Sequence, residues 1–382
     1  MTVKQESQPQ LDALRAAMRV QGAAAFLTLD ADQQTWLAGF RALIYSRPIL
    51  LTVEPDRSTL IVPQLEYEHA KEHARVDRVL AYGERPGLEI PGSHLDLLDD
   101  LLAALPEGGR VAVDESRMPI GIAQHLEARG REPLSFASSL RTMQEDKHPA
   151  EVEAVRRAGE LVSVGVEASL AACRPGITEI EVDGIGASAM LSAIAEILPD
   201  ASVELLTMTP SGPFRSTLPH VFSSTRQLRE GDVLIHTRQL AVDGYRAELE
   251  RTAFVGEPSA EQADAFETMR RAQRCAIEVL GPGVPAADVD RAARNEIEAA
   301  GYGDYAIHRT GHGIAIGVHE HPHIRYDNPE PLRPGMVVTI EPGFYVPGLG
   351  GFRHSDTYAI TETGAEALTS FPSTLRELSL GV

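Results

Sequence analysis

The chain is short of the features that mark disulfide scaffolds, membrane proteins and nucleic-acid binders. It has only two cysteines, Cys173 and Cys275, in 382 residues. They form no framework and no C-x-x-C pair, so both read as small buried residues within helices. No stretch of 18 apolar residues occurs, and no apolar leader core stands near the start; the expectation is a cytoplasmic protein with no membrane partner. Positive charge is scarce, with 35 Lys and Arg against 55 Asp and Glu, a net charge of −20. That balance argues against binding a phosphate backbone and so against a nucleic-acid partner. It favours a cationic or zwitterionic small molecule. Internal repeats and low-complexity segments are also missing. What remains is an ordinary globular composition, 43% hydrophobic and 24% charged, in a chain long enough to divide into two domains.

Short apolar runs at 23–29, 48–53, 58–62, 78–82 and 110–113 read as strands. Helix-like segments precede them at 11–21 and lie among them at 65–74, 93–104 and 119–129. Interleaved strands and helices predict a small α/β domain over 1–145. The text then changes. A long amphipathic helix opens near Pro149 and is closed by Pro175-Gly176. The next helix opens on Thr178-Glu179-Ile180-Glu181, a capping box with Thr178 as N-cap. Strand-like runs follow at 203–208, 233–236 and 244–255, and helices at about 259–281 and 285–300. The remainder of 146–382 is loop and strand, dense in Gly and Pro. Eight of the 13 histidines fall at or after position 220, which directs attention to this half as the chemical one.

His220 follows Pro219 before a polar turn. An imidazole can move a proton in either direction near neutral pH, although a lone histidine is more often structural. Glu248 and Glu250 lie two apart on one strand and share a face, with Leu249 turned to the other. Such a pair could be a metal edge, a cation-binding edge or the solvated side of an amphipathic strand. His312 stands between Gly311 and Gly313, which permit close backbone approach. His319, His321 and His323 follow at a spacing of two; they could chelate a metal, but an exposed loop is the commoner explanation for His321 and His323. Glu341 ends a strong strand just before Pro-Gly, where functional loops often carry a carboxylate.

Five ordered blocks, G-D-V-L-I, G-Y-R-A-E-L-E-R-T, G-H-G-I, T-I-E-P-G and G-G-F-R-H-S-D, together with the helix opening E-D-K-H-P-A-E-V, resemble the creatinase and Xaa-Pro peptidase family. The resemblance implies an α+β fold: a pita-bread catalytic domain over 146–382, preceded by a creatinase-type α/β domain. The peptidase branch of that family binds two metal ions through two Asp, one His and two Glu. At those positions this chain reads Thr237, Glu248, His312, Glu341 and Ser355. Two carboxylates are lost, so the resemblance points to the metal-independent creatinase-like branch, with no metal and no cofactor. Glu248, His312 and Glu341 could still hold one ion, helped by His236.

In the creatinase-like branch His220 corresponds to the general acid/base. Glu250 and Glu341 correspond to the guanidinium-binding carboxylates. Arg47, with Tyr45 in place of the family's Phe, would reach a substrate carboxylate from the neighbouring subunit, which implies a homodimer. Arg325 is the nearest match for a further carboxylate-binding arginine, and His312 and His319 would line the substrate pocket. The expectation is hydrolysis of a C–N bond in a small guanidino or amidino carboxylate. The alternatives are an Xaa-Pro aminopeptidase or dipeptidase with an altered metal site, an ectoine-hydrolase-like amidine hydrolase, and an inactive pita-bread binding module.

Overall fold

The computed structural model describes residues 8–43, 46–87 and 89–381. Contacts divide the chain into two compact units, Met1–Gln144 and Glu145–Val382.

The first unit runs α1 (Pro9–Gln21), β1 (Ala23–Thr28), α2 (Ala31–Ala38), β2 (Leu50–Val53), β3 (Ser58–Pro63), α3 (Tyr67–His73), β4 (Arg78–Tyr82), α4 (His94–Ala104), β5 (Arg110–Val113), α5 (Ile120–Ala128), β6 (Pro133–Ser135) and α6 (Ala137–Glu145). One mixed six-stranded sheet has the order β4-β3-β2-β1-β5-β6. β2 and β3 are buried at every position, as strands covered on both faces are. Leu27, Leu50, Ile61, Leu98 and Leu126 anchor this unit's core. The expected strands and helices are all present. α2 was not expected, because three of its buried side chains, Gln33, Gln34 and Thr35, are polar and satisfied internally, and its apolar Trp36, Leu37 and Ala38 are consecutive rather than helically spaced. Gln33 donates to Asp114, Gln34 to the Ile49 carbonyl and Thr35 to the Ala31 carbonyl.

The second unit runs α7 (Pro149–Ala172), α8 (Glu179–Ile197), β7 (Val203–Met208), α9 (Gly212–Arg215), β8 (Val233–Val242), β9 (Tyr245–Val255), α10 (Ala260–Val279), α11 (Ala286–Ala299), β10 (Gly311–Gly313), β11 (Glu320–Ile324), β12 (Val337–Ile340), β13 (Gly343–Val346), β14 (Gly350–Arg353), β15 (Asp356–Ile360), β16 (Ala365–Ala367) and β17 (Ser379–Leu380). α7 opens with Pro149 in its first turn, and α8 opens on the expected capping box of Thr178 and Glu181. Two sheets carry the unit, β17-β9-β8-β7 and β11-β10-β12-β15-β16, with a β13-β14 hairpin.

β8 and β9 are joined by a two-residue turn, Asp243 at φ 49° and Gly244 at φ 88°. These left-handed values are those of a tight hairpin. One apolar core, including Val162, Val166, Leu234, Leu249, Phe254, Phe266 and Val338, links the helices to the strands. Cys173 is buried as expected, whereas Cys275 is only partly so. His321 and His323, expected on an exposed loop, lie on β11, paired with β10. Among the described residues, no helix is long and apolar enough to cross a membrane.

Candidate active site

The register of the β8–β9 hairpin sets the floor of the site. Thr237 stands opposite Glu250, and Gln239 opposite Glu248. The period-two alternation of a strand puts these four side chains on one face and sends Leu249 into the core. From the other sheet, β10 brings His312 and the end of β12 brings Glu341. The glycines flanking His312 are needed for that approach: a Cβ at Gly311 would lie 1.9 Å from the Thr339 carbonyl oxygen, and one at Gly313 2.1 Å from that of His321. Ser355 is held against β9 by two backbone hydrogen bonds with Glu250, and Arg353 ends β14 beside it.

These residues line or lie beside a cavity of about 1040 Å³. Glu248, His312 and Glu341 are all buried, and their ligand atoms lie within 4.8 Å of one another. His312 Nδ1 is 2.9 Å from the Gly313 carbonyl oxygen, which fixes the N–H on Nδ1 and turns Nε2 toward the carboxylates. Nε2 lies 3.3 Å from Glu341 Oε1, close enough for an ion pair, yet makes no directed hydrogen bond. Burial alone would lower the His312 pKa, but the neighbouring Glu341 outweighs it and raises it. Burial likewise works to raise the Glu341 carboxyl, and His312 reverses that, holding it at about 2. Glu248 accepts from Ser355 Oγ at 2.6 Å and from the Gln239 amide. Its pKa is raised by burial and then by Glu341.

Glu250 is engaged differently. Its two oxygens accept from Arg353 Nε and Nη2, and Thr237 Oγ1 adds a third bond at 2.7 Å. Burial, reinforced by Glu248 and Glu341, still pushes its carboxyl up to about 7 against the pull of Arg353. Arg353 Nη1 donates to the Tyr345 hydroxyl at 2.9 Å, and that hydroxyl lies 2.9 Å from His308 Nε2. The His308 Nδ1–H points to the Arg309 carbonyl, so Nε2 is the acceptor of the Tyr345 proton.

Among the expected site residues, His220, His319, Glu250, Arg325 and Glu341 line the cavity, and His312 sits at its floor. His220 is exposed at the wall. The His319 ring is 4.1 Å from that of His312; burial and His312 push its pKa down to about 4. Arg325 is exposed, paired with Asp327 at 2.9 Å and lying over the Tyr326 ring. Arg47 belongs to the first unit, where it pairs with Glu84 at 2.9 Å; Tyr45 lies outside the described residues. His236 does not join the cluster. Its Nε2 lies 2.6 Å from Ser169 Oγ on α7, on the far side of β8.

Sequence reasoning did not single out Arg353, Tyr345, His308 or Arg309. The R-T-G-H block was the available signal for Arg309. Its guanidinium lines the cavity, half-buried and engaged in no hydrogen bond or ion pair among the described residues. Burial lowers its pKa, opposed by Glu341.

A Glu250–Glu341 clamp on a substrate cation therefore meets an obstacle: Glu250 already holds a guanidinium, that of Arg353. The donors that converge without an internal cation are Glu248, His312 and Glu341.

Residues 153–362 match the model of metallopeptidase family M24, and residues 10–143 that of the creatinase/prolidase N-terminal domain. An Xaa-Pro dipeptidase of Pyrococcus horikoshii is 33% identical over 332 residues, 86% of this chain and 87% of that protein. The probable dipeptidase PepE of Mycobacterium tuberculosis is 32% identical over 364 residues, 94% of this chain and 93% of that one. Among solved structures, the prolidase of P. horikoshii superposes with a TM-score of 0.84 at 28% identity, covering 96% of this chain and 99% of that one. Dipeptidase PepE of Mycobacterium ulcerans gives 0.81 at 31%, covering 96% of each chain. The pita-bread fold is thereby shown. The finer expectation, a metal-independent creatinase-like branch, is corrected: these relatives are named as dipeptidases and prolidases. The chain belongs to the hydrolase family M24, with a creatinase/prolidase N-terminal domain before its catalytic domain.

Proposed function

We propose that this chain is a metal-assisted hydrolase of the C–N bond in a short zwitterionic peptide, of the Xaa-Pro dipeptide kind for which its relatives are named. The observation that carries the reading is the convergence of Glu248, His312 and Glu341 within 4.8 Å, with a buried Nε2 that lacks a directed partner. One imidazole and two carboxylates are a donor set that suits a catalytic divalent cation with open positions. Gln239 and Ser355 orient Glu248, as outer partners of metal ligands do. A cation held there would supply Lewis acidity toward a substrate carbonyl.

The chain's own groups do the rest. Water adds across the C–N bond, its hydroxyl joining the carbonyl carbon and a proton going to the nitrogen. In this reading His220 delivers that proton at the cavity wall. Arg309 takes the substrate carboxylate, in place of the expected Arg325.

Cleavage of a guanidino or amidino carboxylate without metal is the competing reading. The neutral hydroxyls at Thr237 and Ser355 favour it, and the engagement of Glu250 by Arg353 weighs against it. One experiment separates the two: the protein is assayed on Xaa-Pro dipeptides and on guanidino and amidino acids, with and without a chelator. We expect dipeptide hydrolysis that chelation abolishes and added Mn²⁺, Co²⁺ or Zn²⁺ restores. Chelator-resistant turnover of a guanidino or amidino acid, with none on dipeptides, overturns the proposal.

A further inference from the structure

We infer that this site holds one divalent cation rather than two, because the Glu250–Arg353 ion pair stands in the place of the second. The inference rests on the metal-assisted reading above.

Glu248, Glu250, Glu341 and Arg353 are all buried, with at most 9% of any of them exposed. With all three carboxyls ionised, as they would be around a bound cation, three carboxylates against the one buried guanidinium leave two net negative charges among these buried groups. A single divalent cation cancels them. A second would leave two uncompensated positive charges in the same volume, and burying unpaired charge is costly.

The coordination agrees with the charge. At two of the five positions where the peptidase branch carries metal ligands, this chain has Thr237 and Ser355. Both are neutral hydroxyls that supply no negative charge, and each donates its proton to a carboxylate, Thr237 to Glu250 at 2.7 Å and Ser355 to Glu248 at 2.6 Å. Glu250 is the cross-strand partner of Thr237 on the β8–β9 ladder. A carboxylate is thus offered from β9 beside the position on β8 that lacks one. It does not join the converging donors. Both of its oxygens are bound by Arg353, and the guanidinium is held in turn by the Tyr345 hydroxyl. A planar guanidinium fixed by a bidentate carboxylate and a buried phenol is a permanent charge that cannot dissociate as a metal ion can. Arg353 acts here as a positioning residue: it fixes Glu250 and limits the charge that the cavity accepts.

The test is metal stoichiometry. The full chain, freed of metal by chelation and dialysis, is titrated with Mn²⁺ by calorimetry. Bound metal is counted by elemental analysis, and exchange coupling between paired Mn²⁺ ions is sought by electron paramagnetic resonance. We expect one ion per chain and no coupled spectrum. Arg353→Met frees Glu250 and is expected to raise the count to two. Glu250→Gln keeps the side-chain shape, and serves if Arg353→Met does not fold. It leaves the guanidinium uncompensated and is expected to weaken Mn²⁺ binding at least tenfold at unchanged stoichiometry. Two ions in the unaltered chain, or Arg353→Met folded and still binding one, overturns the inference and leaves the metal-assisted reading standing. No ion bound overturns both.

Discussion

At the scale of single residues, the proton beside His312 governs the site. Glu341 raises the pKa of this imidazole in the metal-free protein. Below that raised pKa, Nε2 carries a proton that a cation must displace; above it, the lone pair is free. Apparent metal affinity should therefore rise with pH, by about tenfold per unit below the pKa, and flatten above it. Mn²⁺ titrations from about pH 5.5 to about pH 8.5 check this, and an affinity independent of pH contradicts it. His312→Ala should lose both the affinity and its slope. Arg309 sets a second expectation. If its guanidinium takes the substrate carboxylate, Arg309→Met removes a charge-assisted hydrogen bond worth about 1.5–3 kcal/mol. That predicts a fall in kcat/KM on the order of 10–100-fold for a free dipeptide. The C-terminally amidated analogue should hardly distinguish the two proteins; equal losses on both substrates would remove the assignment.

At the scale of elements, β10 is three residues long and exists where it does because two of them have no side chain. Gly311→Ala would press a methyl group onto the Thr339 carbonyl, 1.9 Å away, so β10 must separate from β12. Overpacking of this kind costs about 1–3 kcal/mol. Because His312 moves with the strand, metal affinity should fall by roughly 10–100-fold as well. A variant that loses stability but keeps its metal would show that His312 does not depend on this register.

The same element shows how far the sequence could be read. Glycines on both sides of a histidine announced a close backbone approach, and the alternation around Leu249 announced that Glu248 and Glu250 share a face. The strand across from them was harder to see: the apolar run ends at His236, whereas β8 continues to Val242. Its next three residues, Thr237, Arg238 and Gln239, are polar yet buried. They are polar because they serve hydrogen bonds and ion pairs made by the fold, Thr237 with Glu250 and Gln239 with Glu248 across the hairpin, and Arg238 with the distant Asp183. Periodicity has no access to partners of that kind. For the same reason Arg353 escaped notice as the cation already held by Glu250, 103 residues earlier. Family resemblance supplied the blocks and their order but not the choice between branches, since Thr237 in place of a metal ligand and the Glu250–Glu341 pair fit a metal-free clamp until Arg353 is seen to hold both oxygens of Glu250.

At the scale of the whole molecule, the two units carry separate apolar cores, one around Leu50 and Leu98 and the other around Val162 and Phe254. Every converging donor belongs to the second unit. Glu248 is on β9, His312 on β10 and Glu341 follows β12, so a bound cation would join strands of two different sheets. A ligand that binds only the folded state stabilises it by mass action, by about 2.7 kcal/mol at a hundredfold excess over Kd. For a unit spanning 145–382, that corresponds to an upward shift of about 5–10 °C in its unfolding temperature. The first unit contributes no donor to the cluster and should gain nothing. Calorimetry of chelated and Mn²⁺-loaded protein, paired with hydrogen exchange followed by mass spectrometry, reads both expectations. Protection should increase in 233–255, 311–313 and 337–356 and stay unchanged in the strands of the six-stranded sheet. Identical melting and exchange with and without metal would place no cation between the two sheets, and with it would go the metal-assisted reading of the site.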